Sequence, residues 1–149
     1  MKTTILAVII SLFTLNLNAQ CKNFVQKADM EAMSGYECES VQVAQMYSGD
    51  EAVITQPIAA NKRYKIQILK ADFLGDYNME ISDKKNRAVS MEVNTEDERY
   101  FQIATEKATE VKLYLSLDKT ESLTGLQRSG CVAILVGSME NTELATAEK

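Results

Sequence analysis

The amino-acid sequence predicts an all-β protein, an antiparallel β-sandwich or jelly roll of about eight strands with a short N-terminal helix. Apolar and polar residues alternate in several segments. Residues 63–68 show this best, because Tyr64, Ile66 and Ile68 fall on one face. Turn-forming residues separate the alternating segments. A last segment, residues 131–136, is apolar at every position, which indicates an interior strand with both faces covered.

The N-terminal residues 1–19 have the features of a secretory signal peptide. Lys2 precedes a short apolar run, and Ala19 is the small residue expected before a cleavage site. The run is too short to span a bilayer comfortably. Cleavage would leave a mature chain that begins at Gln20 and is secreted or periplasmic. Lipid attachment to Cys21 is the alternative, but that processing normally needs a small residue where Gln20 stands.

In chain order, the first predicted element of the mature chain is a short helix over residues 23–34, which Gly35 ends. Strands follow where the period changes to two. Pro57 lies near a strand end, a position that an edge strand tolerates. Residues 138–149 are polar and aperiodic, so we expect one domain over residues 20–137 and a flexible tail. The alternating segments are residues 41–47, 52–58, 63–68, 77–81, 89–93 and 111–117.

The three cysteines of the mature chain, Cys21, Cys38 and Cys131, are disulfide candidates, since cysteines of exported proteins usually pair. We expect Cys131 to be one partner, because it opens the most apolar strand. A bridge to Cys38 would close a loop of about a hundred residues and contribute about 4 kcal/mol in the chain-entropy model. A bridge to Cys21 is the alternative and would hold the N-terminal segment. The spacings do not match a zinc or redox site.

The composition argues against several functions. The chain has 16 basic and 21 acidic residues, no His and a formal net charge of −5. Without His it lacks the usual general base and the commonest zinc ligand. The acidic balance argues against nucleic acid as the partner. Glycines are scattered and form no phosphate-binding loop. We therefore predict a protein that is not an enzyme and has no cofactor.

Acidic residues provide two further candidates. Glu80 and Glu92 point outward from neighbouring predicted strands and could face each other, as a glycosidase requires, but a solvated sheet face explains the same pattern and is the interpretation we favour. Calcium would need several carboxylates in one loop. The turn residues that could contribute are too dispersed, and turns select Asp in any case, so we predict no metal site. These residues are Asp72, Asp76, Asp83, Asp97 and Glu98.

Two tyrosines are candidates for a binding platform. Tyr114 points away from the apolar face of residues 111–117, and either Tyr100 or its neighbour Phe101 must face away from the core. Outward aromatic rings on a sheet can bind a sugar, a peptide or a partner protein. Cross-strand pairing that stabilises the sheet is the alternative explanation. The expected partner is a protein or glycan of the cell envelope.

Short motifs along the mature chain carry a resemblance. They comprise an early cysteine, a Gly-Tyr pair, a Tyr-x-Ile strand, an Ile-x-Asp turn and a closing Gly-Cys-Val strand. The chain resembles a group of small secreted proteins of Bacteroidetes. These are similar to β-sandwich domains of the bacterial pre-peptidase C-terminal type. The chain departs from the pattern of the group at two positions: Lys62 stands where Gly is common, and Cys38 is an additional cysteine. The motif positions are Cys21, Gly35-Tyr36, Tyr64-Lys65-Ile66, Ile81-Ser82-Asp83 and Gly130-Cys131-Val132.

The resemblance implies a fold and an exported location, and it implies no catalytic residues. Together with the composition, it leads us to expect an exported, non-catalytic binding or structural module of the cell envelope. The alternative is a carbohydrate-active or calcium-dependent β-sandwich domain.

Overall fold

A computed structural model of the chain describes residues 21–141 except 22, 27–28, 31–32, 34, 86, 88–90, 95–98, 121–124 and 126. The predicted signal peptide, residues 1–19, lies outside the described residues, as does the last part of the predicted tail, residues 142–149.

The described residues form two antiparallel sheets that contain eight strands, which confirms the predicted all-β sandwich. The large sheet has the order β1-β8-β3-β6-β5, and the small sheet has the order β2-β7-β4. A single 3-10 turn, Asp72–Leu74, follows β3. The strands are β1 Glu37–Tyr47, β2 Glu51–Ile58, β3 Lys62–Lys70, β4 Tyr77–Ser82, β5 Met91–Asn94, β6 Arg99–Thr105, β7 Thr109–Leu117 and β8 Ser129–Glu140.

The core lies between the two sheets and follows the predicted alternation. On β7, Val111, Leu113 and Leu115 point inward and are buried, while the residues between them face outward. On β3, Ile66 points into the same core. Successive side chains of a strand point to opposite faces of its sheet, so a strand contributes only every second residue to this layer.

Two predictions about strand position are confirmed. The apolar strand β8 lies inside the large sheet, paired with β1 on one side and β3 on the other. Pro57 lies in β2, which is an edge of the small sheet. An edge strand has one row of backbone groups outside the ladder, so the missing N–H of proline can be accommodated there.

The helix predicted over residues 23–34 is not supported. Among the described residues of this segment, only Asp29 and Met30 have a helical backbone, and turns between residues three apart connect the rest. Described residues of the segment, Phe24, Val25 and Met33, lie against the outer face of the large sheet, where Met33 packs with Ala133 and Leu135 of β8. Burial of apolar side chains against a sheet outweighs the small free-energy differences of helix propensity.

The disulfide joins Cys21 to Cys131, with an S–S distance of 2.01 Å and a Cα–Cα distance of 5.5 Å. Cys38 is free, so the expected Cys38–Cys131 bridge is wrong and the alternative pairing is the one that forms. The strand register gives the reason. Cys38 lies opposite Gly137, six residues along β8 from Cys131, which corresponds to about 20 Å of strand. A disulfide requires Cα atoms within about 7 Å.

Strand β8 extends past the expected domain boundary at residue 137. It continues to Glu140, and the next residue, Asn141, is buried and donates its backbone N–H to the carbonyl of Asn61. The sandwich therefore includes the first residues of the predicted tail.

Candidate functional site

The two candidate tyrosines lie on opposite surfaces of the sandwich. Tyr114 projects from the outer face of the small sheet. Tyr100 precedes the buried Phe101 and so projects from the outer face of the large sheet, where the Lys65 ammonium lies 4.6 Å from the centre of its ring. The two rings therefore cannot form one platform. Tyr100 already has a cation as its partner, whereas Tyr114 lies on a face that is open to solvent.

Tyr114 lies at the centre of the small sheet. It is directly opposite Val53 of β2 on one side and Glu80 of β4 on the other. In the next pair along the strands, Ser116 lies between Glu51 and Asn78. We call this surface the Tyr114 face. It comprises Glu51, Val53, Asn78, Glu80, Tyr114 and Ser116.

The Tyr114 face is a shallow depression of about 220 Å³. Its apolar part is formed by Tyr114, which is 37% exposed, and Val53, which is 59% exposed. Two carboxylates, an amide and a hydroxyl surround that part. Carboxylates accept hydrogen bonds, the amide both donates and accepts, and the hydroxyl does either. The surface therefore combines an aromatic ring with hydrogen-bonding groups of both kinds.

Sequence reasoning identified Tyr114 and, for a different role, Glu80, but missed the other residues of the Tyr114 face. The alternation of β2 already placed Glu51 and Val53 on one outward face. Their position beside Tyr114 depends on the pairing of β2 with β7, which brings together residues more than sixty positions apart in the chain. Tyr114 and Val53 also form an aromatic and β-branched cross-strand pair, which stabilises the sheet.

The paired carboxylates considered for sugar hydrolysis are apart. Glu80 is in β4 of the small sheet and Glu92 is in β5 of the large sheet, so they do not face each other. Glu92 instead accepts a hydrogen bond of 2.6 Å from Nε of Arg99. The prediction that these strands are neighbours in one sheet is wrong because the chain changes sheets between β4 and β5.

A serine, a lysine and a carboxylate meet at one end of the sandwich. Lys62 Nζ lies 3.3 Å from Ser138 Oγ and 3.2 Å from Glu39 Oε1, and Ser138 donates a hydrogen bond to the same carboxylate. The hydrogen bond and charge of Glu39 raise the pKa of Lys62, so this amine stays protonated and cannot act as a base. A serine three residues before a lysine can form a nucleophile–base pair, and the sequence has this spacing at residues 82–85 and 116–119. Ser82 and Ser116 lie at the C-terminal ends of β4 and β7.

The carboxylates considered for calcium do not converge where the structure describes them. Asp83 is engaged by Arg87, with N–O distances of 2.8 and 2.6 Å. Asp97 and Glu98 lie outside the described residues. Within the part of the chain that the structure describes, no group of three His, Cys, Asp or Glu side chains is arranged to hold a metal ion. Those residues likewise contain no helix long and apolar enough to cross a membrane.

No family model and no curated protein matches this chain.

Proposed function

We propose that the protein is an exported, non-catalytic binding module of the cell envelope, and that it binds glycans through the Tyr114 face. The observation that carries this proposal is a solvent-exposed aromatic ring at the centre of a sheet surface, surrounded by Glu51, Asn78, Glu80 and Ser116.

The chemistry of this surface matches a saccharide. One side of a pyranose ring presents C–H groups that can pack on the Tyr114 ring, and hydroxyl groups project from the edge of the sugar. Carboxylates such as Glu51 and Glu80 accept hydrogen bonds from those hydroxyls, and the Asn78 amide can donate to their oxygens. A shallow, open depression suits a segment of a polymer that passes across it, because such a segment does not need to be enclosed.

The protonation states of the possible catalytic groups favour a binding role over catalysis. Lys62 is held as an ammonium by Glu39, and Asp83 is held as a carboxylate by Arg87. A general acid or base would need a pKa nearer the working pH. We therefore propose that binding is the whole activity of the domain.

Export is supported by two features. Residues 1–19 have the pattern of a signal peptide. The Cys21–Cys131 bridge is of a kind that persists in oxidising compartments. A sulfur in that bridge cannot also carry a thioether-linked lipid, so the bridged form has no lipid anchor at Cys21, and we propose that it is secreted or periplasmic.

The test is binding of the purified, disulfide-bonded protein to a panel of bacterial envelope glycans. For a glycan that binds, we expect Tyr114→Ala to weaken the affinity by about tenfold or more and Glu80→Gln to weaken it less. Tyr47→Ala is the matched control, since Tyr47 is also an exposed tyrosine but lies outside the Tyr114 face.

Thermal unfolding of the same variants separates binding from stability. Lost glycan binding with a melting temperature close to that of the wild type supports a binding platform. A Tyr114→Ala protein that binds normally but melts well below the wild type would show that the ring only stabilises the sheet, and the proposal would be wrong.

A further inference from the structure

Strand β1 is an edge strand of the large sheet and has few of the features that usually prevent an edge strand from pairing with another chain. It is eleven residues long, and within the described residues no strand pairs with its outer side. Residues 40–47 contain no charged residue and no proline. Val41, Val43 and Tyr47 expose apolar surface along it. Long edge strands are usually protected by Lys, Pro or a bulge because an open edge pairs readily with another chain. A bulge occurs only between Cys38 and Ser40, at the N-terminal end of the strand.

An apolar cleft opens beside the same edge. Its volume is about 180 Å³, and it lies between β1 and β2, which belong to different sheets and are not paired with each other as strands. Gln42 and Ala44 line one side, Ala52 and Ile54 line the other, and Ile134 is among the core residues that line it. The small side chains of the two alanines do not fill the space between the edges.

We propose that β1 pairs in antiparallel orientation with β1 of a second copy of this chain, about a two-fold axis at Gln42. In this register Val41 of each copy lies opposite Val43 of the other, so four valines form one apolar patch on the outer face. The two sheets become a single ten-stranded sheet, and the interface is isologous, as in most homodimers.

The charges of β1 favour a second copy as the partner. Its only ionisable carboxylates, Glu37 and Glu39, stand together at the N-terminal end. Antiparallel pairing places the two sets of carboxylates at opposite ends of the interface, each beyond the bulge and near the uncharged C-terminal residues of the other strand, Gln45 and Tyr47. No like charges are therefore opposed, although each chain carries a net charge of −5.

Pairing would also close the cleft. Gln42 and Ala44 point toward the interior side of the large sheet, and a two-fold axis normal to that sheet keeps them on the same side in both copies. The mouths of the two clefts then face each other across the new strand pair. Apolar surface that is open in one copy is removed from water in two.

Sedimentation velocity of the processed, disulfide-bonded protein over a range of concentrations tests the proposal. We expect a reversible dimer, and we expect Val43→Lys to weaken it by about tenfold or more, since an edge lysine opposes strand pairing. Met139→Lys is the matched control, because Met139 is 38% exposed and Val43 is 39% exposed. It should leave the dimer unchanged. A wild-type protein that stays monomeric, or equal effects of the two lysines, would overturn the proposal.

Cysteine cross-linking tests the register. In a Cys38→Ser background, Gln42→Cys should form an intermolecular disulfide under mild oxidation, because directly opposed residues place their Cβ atoms about 5 Å apart. Thr55→Cys, an exposed position on β2, should cross-link far more slowly. Equal rates at the two positions would contradict the register. Protection of β1 amides from hydrogen exchange only when a different protein is added would assign the edge to that protein instead.

Discussion

The role of Asp83 depends on the hydrogen bonds that its carboxylate accepts in the fold, which its residue type alone does not reveal. The sequence made it a candidate calcium ligand in a turn. In the structure its carboxylate accepts hydrogen bonds from the backbone N–H groups of Lys85 and Arg87 and from the Arg87 guanidinium. These donors lower the pKa of Asp83 from its ordinary value of 3.8 to about 2. The carboxylate therefore organises the turn after β4.

The stability that Asp83 contributes should depend on pH. Since its pKa is lower in the folded protein than in the unfolded chain, its contribution is complete above about pH 4 and is lost as the pH falls toward 2. We expect Asp83→Asn to unfold at lower urea concentration than the wild type at pH 7. The difference should shrink when unfolding is measured near pH 2, and a difference that is the same at both pH values would contradict this role.

At the same scale, the outward direction of Tyr114 was predictable and its surroundings were not. Alternation along β7 determines on which face a side chain lies. Which residues share that face depends on the partners of the strand. Val53 and Glu80 come to Tyr114 from strands more than thirty residues away on the N-terminal side of β7.

At the scale of elements, the N-terminal segment depends on the strand that it covers. Met33 packs over β8, and Gly137 makes room for it, since a Cβ atom at this glycine would lie 2.6 Å from Met33 Cε. The Cys21–Cys131 bridge ties the start of the segment to the same strand. These contacts join residues about a hundred positions apart.

Removal of the bridge should therefore be costly. We expect the Cys21→Ser/Cys131→Ser double variant to lose about 4–5 kcal/mol of unfolding free energy, since the bridge spans 110 residues. Urea unfolding measures the loss. Cys38→Ser is the matched control and should change stability little.

The number of thiols that can be alkylated tests the Cys21–Cys131 bridge independently. Without reduction, the native protein should take up one alkyl group, at Cys38, and slowly at neutral pH because burial raises the pKa of this thiol. After reduction and unfolding it should take up three. Uptake at Cys21 or Cys131 without reduction would contradict the bridge.

At the scale of the whole molecule, the contacts between the two sheets differ along the two edges of the sandwich. On the side of β4 and β5, Arg99 of the large sheet donates to the carbonyl of Tyr77 in the small sheet at 3.0 Å. Its guanidinium lies 4.4 Å from the centre of the Tyr77 ring. On the opposite side, the hydrogen bond of 3.4 Å from Ser40 to Gln56 connects β1 and β2 near one end only, and the apolar cleft remains. This asymmetry is the reason that the β1 edge, and not the β5 edge, is the proposed interface.

Arg99 should contribute to stability, because its planar guanidinium stacks on the Tyr77 ring and donates a hydrogen bond to the Tyr77 carbonyl at the same time. We expect Arg99→Lys to lower the free energy of unfolding by about 1–2 kcal/mol, since an ammonium cannot keep both contacts. Glu92→Gln, which removes only the exposed ion pair with Arg99, should cost less than about 1 kcal/mol. Equal losses in urea unfolding would indicate that Arg99 stabilises the protein through its ion pair with Glu92 inside the large sheet, and not through its contacts with Tyr77 of the small sheet.

The sequence by itself determined the all-β class, most of the strands and the direction in which their side chains point, because alternation with a period of two is a local property. Residues 63–68 and 111–117 show this, and β6 had the same signal in Phe101 and Ile103. Only the tertiary structure decided which strands pair, and with them the Cys21–Cys131 bridge, the separation of Glu80 from Glu92 and the composition of the Tyr114 face. The residues of a strand themselves determine which side chains lie on each face. Its neighbours in the sheet depend on contacts between distant parts of the chain, and the sequence of a short segment does not reveal the free energy of those contacts.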